Sequence, residues 1–171
     1  EKMYREISVD PEIWNHVGFA YATYEDWENA IAAFKRAVSL DPRYAEALFN
    51  LGEVYLSQAL KNRNQDLLEK ASESFKKSIE MDSEYAYPYF SLGKIYRQTD
   101  NLDGAIYCWE KTVEIQPNFE QAHYYLGEAY LAKGEKGKAL KNLLYLKENF
   151  FHRYPEDLKK KIEDLIKKCK D

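Results

Sequence analysis

Apolar residues recur along this chain at intervals of three and four, the period of helices packed on one face, so the pattern predicts an all-helical protein. One arrangement returns four times. Trp14, Val17, Gly18 and Tyr21 stand at i, i+3, i+4 and i+7, and Leu48, Leu51, Gly52 and Tyr55 repeat the spacing. So do Tyr89, Leu92, Gly93 and Tyr96, and then His123, Leu126, Gly127 and Tyr130. The glycines are 34, 41 and 34 residues apart, and they account for four of the seven in the chain. Such positions share one face of a first helix, A. A second stripe follows each tyrosine, with Ala30 and Phe34, Ala71 and Phe75, Ala105 and Trp109, and Ala139 and Leu143 four residues apart on a second helix, B.

The small positions let two helix axes approach, and the large ones fill the space around the contact. Glycine inside a helix costs about 1 kcal/mol against alanine, so four in register imply a packing return. The second unit carries seven extra residues between Tyr55 and Ala71, close to two helical turns. We expect both of its helices to lengthen by about one turn, around a bend near Asn62 to Asn64. Leu60, Leu67 and Leu68 favour such a hairpin over a loop. Pro88 falls in the first turn of its helix, where a missing N–H is harmless. After Pro155, the residues Leu158, Ile162, Leu165, Ile166 and Cys169 keep helical spacing among lysines, the pattern of a terminal helix with one apolar face.

This arrangement resembles the tetratricopeptide repeat, whose W-x-x-L-G-x-x-Y … A-x-x-x-F … P pattern is reproduced most fully in 11–44, closing on Pro42. The resemblance implies an all-α, right-handed superhelical solenoid of antiparallel helix pairs. Four repeats are expected, at 11–44, 45–85, 86–119 and 120–153, with a capping helix over 154–171. Residues 1–10, with Met3, Tyr4 and Ile7 apolar, read as the tail of a preceding helix.

The resemblance also implies a function, binding another protein in the concave groove lined by the A helices. Helix-A positions not used for packing give the candidate wall: Asn15, Phe19, Phe49, Asn50, Glu53, Tyr87, Phe90, Lys94, Tyr124, Tyr125 and Glu128. Its aromatic residues suit interface anchors, and its asparagines can hydrogen-bond a peptide backbone in both directions. Similar repeats that hold the acidic tails of heat-shock chaperones use a clamp of Lys, Asn, Asn, Lys and Arg. The matching positions here are Asn15, Phe19, Asn50, Tyr87 and Ser91, of which only Asn50 fits, so no such clamp is expected. A shift by one repeat gives Phe49, Glu53, Ser91, Gln121 and Tyr125, with no match.

Composition narrows the remaining classes. Net charge is −4, but 12 Lys/Arg face 7 Asp/Glu from Lys133 onward, against 13 and 22 before it. An acidic body argues against nucleic acid, which requires a basic stripe. No apolar run is long enough to cross a bilayer. Cys108 and Cys169 form no C-x-x-C pair, and free thiols are compatible with a reducing compartment, which favours the cytoplasm. His16 has no second histidine or cysteine in its repeat and His123 takes a packing position, so no metal site, cofactor or catalytic group is expected. Gly134 and Gly137 are placed in a turn between helices. An adaptor or scaffold is the leading function. The substrate-recruiting arm of a larger enzyme and a secretion or assembly chaperone are the alternatives, and self-association through an uncapped first repeat stays open.

Overall fold

The computed structural model describes residues 9–170, so the expected helix tail in the first residues lies outside them except for Val9 and Asp10. Among the described residues the chain forms nine α-helices, one 3-10 turn and no strand. The helices are α1 (Pro11–Thr23), α2 (Trp27–Leu40), α3 (Ala45–Asn62), α4 (Gln65–Met81) and α5 (Ala86–Gln98). They continue as α6 (Leu102–Ile115), α7 (Glu120–Ala132), α8 (Lys136–Asn149) and α9 (Glu156–Lys170), with Phe151–Arg153 as the 3-10 turn. Two compact units result, one ending at Ile95 and the other starting at Tyr96, within α5.

In the first unit α1 packs on α2, α2 on α3, and α3 on α4, while α1 also touches α3. The registered small positions explain the pairing. A β-carbon placed on Gly18 would lie 2.7 Å from the Phe34 ring, and one on Gly52 would lie 2.6 Å from Phe75. Ala30, Ala33, Ala37, Ala47 and Ala71 are buried beside them. Each A–B turn uses one residue in the left-handed region, where the chain reverses after the helix: Glu25 (φ 56°) after α1 and Arg63 (φ 51°) after α3. The next residue, Asp26 or Asn64, then caps the following helix by accepting from Asn29 N–H or Leu67 N–H.

The seven extra residues lengthen α3 and α4 to 18 and 17 residues, against 13 and 14 for α1 and α2. Asn64 N–H bonds Ala59 C=O where Asp26 N–H bonds Tyr21 C=O, so α3 takes four of the extra residues and α4 three. The bend falls at Arg63, as expected.

The second unit repeats the plan with α6 on α7, α7 on α8, and α9 against both α8 and α7. Gly127 backs onto Leu143, which would stand 2.6 Å from an added β-carbon. Its turns place Asp100 (φ 58°) and Gly134 (φ 76°) in the left-handed region. Gly137, expected in that turn, lies in the first turn of α8, because the helix starts at Lys136 directly after the left-handed residue and its cap. Ile162, Ile166 and Cys169 are the buried face of α9, and its lysines are mostly exposed.

Candidate functional site

Five of the predicted wall residues line one cleft of about 450 Å³ in the first unit: Phe19, Phe49, Asn50, Glu53 and Tyr87. They come from α1, α3 and α5, at positions that helical spacing leaves outside the packed stripe. Phe34, at the base of the cleft, is buried, whereas Phe19 is 60% and Tyr87 46% exposed. Phe49 is the hub of the aromatic wall. Its ring lies 5.8 Å from Phe75, 5.4 Å edge-on from Tyr85 and 5.9 Å from Tyr87. Centroid separations in this range are favourable for tilted and edge-to-face rings.

Asn15 is placed differently from its expected groove position. It is 1% exposed, and both ends of its amide are taken. Its Nδ2 donates to Tyr44 Oη at 3.2 Å and to Glu46 Oε1 at 3.1 Å, and its Oδ1 accepts from Asn50 Nδ2 at 2.9 Å. A buried amide needs such partners, and here all three come from residues at or beyond the end of the first repeat. Asn15 therefore fixes α1 to α3, and Asn50 reaches the cleft with one donor already used. Phe90 and Lys94 pair with each other, the ammonium 5.3 Å from the ring centroid, and neither is among the cleft-lining residues.

Glu53 is half-buried and accepts the Ser91 hydroxyl at 2.5 Å. It is the sole charged side chain among the described lining residues. Burial, then Glu46, Tyr87 and Glu53, push the Tyr85 phenol far above its ordinary value, so both carboxylates act on the aromatic cluster. Sequence reasoning missed Thr23, Trp27 and Ser57 as lining residues. Thr23 and Ser57 lie one turn beyond Phe19 and Glu53 on the same helix faces, so extending each stripe by four residues finds them.

The three predicted residues of the second unit form their own cluster. Tyr124 Oη donates to Glu128 at 2.7 Å, and Tyr125 stacks on Trp109 at 5.0 Å with the Arg97 guanidinium 4.4 Å over its ring. Glu128 also pairs with Arg97 at 3.5 Å and with Lys161 of α9 at 3.4 Å. Lys161 lies 5.0 Å over Tyr124, and its ammonium is held above its ordinary value, first by the Tyr124 phenol and then by Glu128. Helix α9 thus reaches residues expected to be an open wall. His123 sits against Tyr145 at 4.2 Å, its ring nitrogens 2.8 Å from Asn142 Oδ1 and Pro117 C=O.

Comparison with known proteins places the chain. The TPR-repeat family model matches residues 25–58 and 93–134. No curated protein sequence matches significantly. Among solved structures, MamA is 29% identical, with 82% of this chain and 78% of that one covered at a TM-score of 0.69. YrrB, described as a TPR protein with an unusual peptide-binding site, is 18% identical over 98% of this chain and 89% of its own, with a TM-score of 0.73. The first TPR of Spaghetti (RPAP3), bound to the HSP90 peptide SRMEEVD, is 17% identical over 74% and 98%, at 0.66. The matched stretches, 25–58 and 93–134, are tetratricopeptide repeats, and the chain is an all-α helical-repeat solenoid.

Proposed function

We propose that this chain is a protein-interaction module that holds an extended partner segment in the cleft of its first unit. The carrying observation is Phe19, 60% exposed on a wall continuous with Ala22, Phe49 and Tyr87. Exposed aromatic rings around a preformed apolar cleft are the groups a partner buries with most gain. Peptide binding described for YrrB and for the first TPR of RPAP3 supports a peptide or protein as the partner class.

An acidic tail of the SRMEEVD kind fits this cleft poorly. Asn50 has given one N–H to Asn15, Ser91 has given its hydroxyl to Glu53, and Glu53 repels a carboxylate. The reading is one of binding, with no catalytic step.

A random dodecapeptide library displayed on phage, selected against the full chain, tests the proposal. Enriched peptides are expected to bind Phe19→Ala and Tyr87→Ala about tenfold or more weakly by calorimetry, at unchanged helicity, the loss typical of an anchor aromatic. Failure to enrich any peptide, or equal affinity for both variants and the unaltered chain, overturns it.

A further inference from the structure

Glu53 poses an electrostatic question that its own chain does not answer. The carboxylate is half-buried in a cleft lined by five aromatic side chains, Phe19, Trp27, Phe34, Phe49 and Tyr87. One oxygen accepts from Ser91, and no cation pairs with it among the described residues. The two lysines nearest in helical position are engaged elsewhere. Lys94, one turn beyond Ser91, lies over Phe90, and Lys61, two turns beyond Glu53, pairs with Glu25 at 2.6 Å. Glu46, two turns before Glu53, accepts from Asn15 and likewise has no cation among the described residues. A partly desolvated carboxylate gains most from a charge-assisted donor, and the faces of surrounding rings favour a cation over an anion.

We infer that the cleft selects a basic side chain, an arginine or lysine of the partner segment, with Glu53 as the specificity-determining group and the aromatic wall holding the apolar stem and its neighbours. The inference rests on the reading of this cleft as the docking site. A Lys or Arg side chain suits it because the charged head can reach Glu53 Oε2 while its methylenes cover Phe49 and Tyr87. An apolar residue beside it in the partner would bury Phe19.

The same selected dodecapeptides separate the two claims. Peptides enriched on the full chain are expected to carry Arg or Lys next to an apolar residue. Replacing that basic residue by Gln should weaken binding about tenfold, the loss of one charge-assisted hydrogen bond. Glu53→Gln, which still accepts from Ser91, should remove the difference between the two peptides, whereas Glu69→Gln, on an exposed face of α4 outside the cleft, should keep it. Enriched peptides that need Phe19 but show no basic preference, or that respond equally to Glu53→Gln and Glu69→Gln, overturn this inference and leave the docking site standing. If no peptide is enriched, both fall.

Discussion

Gly18 and Phe34 meet so closely that the glycine has no room for a side chain, a β-carbon there falling 2.7 Å from the ring. Gly52 with Phe75 and Gly127 with Leu143 stand in the same relation. The spacing that repeats along the chain therefore records a contact, one missing side chain on helix A matched to one large side chain on helix B. A helix that tolerates glycine at about 1 kcal/mol recovers that cost in the close approach of its partner.

Gly18→Ala and Gly52→Ala should lower stability by about 1–3 kcal/mol, although alanine is the better helix former, because the aromatic ring must leave its place. Gly137→Ala should do the opposite. Nothing lies within 4 Å of a β-carbon there, so the gain in helix propensity, up to about 1 kcal/mol, is uncompensated. Urea unfolding of the three variants checks the contrast in sign.

Asn15→Ala should cost about 1–3 kcal/mol, since Asn50 and Glu46 lose a buried partner. Asn15→Asp keeps the shape but sets a second carboxylate against Glu46. That repulsion raises the folded-state pKa of the new acid above its unfolded value of about 4, so its stability is fully present below that value and lost as pH rises through the folded one. Thermal unfolding should show the variant closest to wild type in acid and weakest at neutral pH.

The packed faces are legible in the sequence because helical period fixes which residues share a side, and small residues opposite large ones name the contact. The seven-residue extension is legible for the same reason. Phe19, Phe49, Asn50, Glu53 and Tyr87 follow from subtracting the packed positions. Subtraction fails where a polar residue is itself packed. Asn15 is buried because Tyr44, Glu46 and Asn50 come from beyond α2 to satisfy it, and no property of α1 alone announces them. It also fails where a distant element arrives, as Lys161 does over Tyr124.

Alkaline pH should weaken the fold. The phenols of Tyr85, Tyr130 and Tyr154 are all raised above 10.0, in each case first by burial and then by a carboxylate, Glu46, Glu110 or Glu120. The unfolded chain ionises its tyrosines near pH 10, whereas the folded one holds these three neutral, so their contribution is intact below about pH 10 and is lost as pH rises toward the folded values. Tyr130→Phe gives up the hydrogen bond to Glu110, about 1 kcal/mol, but makes the alkaline decline shallower. Denaturant midpoints measured across this range test both parts.

Removal of 155–171 should expose the surfaces of α8 and α7 that α9 covers, lowering the melting temperature and producing aggregates in light scattering. Ile162→Ala, a milder lesion at a fully buried position, should cost about 2–4 kcal/mol. A shortened chain that melts and elutes like the whole one would remove the cap role from α9.

The extension in α3 and α4 has a consequence in angle as well as in length. An α-helix turns about 100° per residue, so four added residues rotate the exit of α3 forward by about 40°, and three rotate the entry of α4 back by about 60°. The two nearly cancel, leaving about 20° over the whole hairpin. Phe75 thereby meets Gly52 as Phe34 meets Gly18, despite the longer path between them. An insertion of five residues would leave Phe75 turned well away from its glycine, so the hairpin can grow only in steps near seven without surrendering the contact that repeats down the chain.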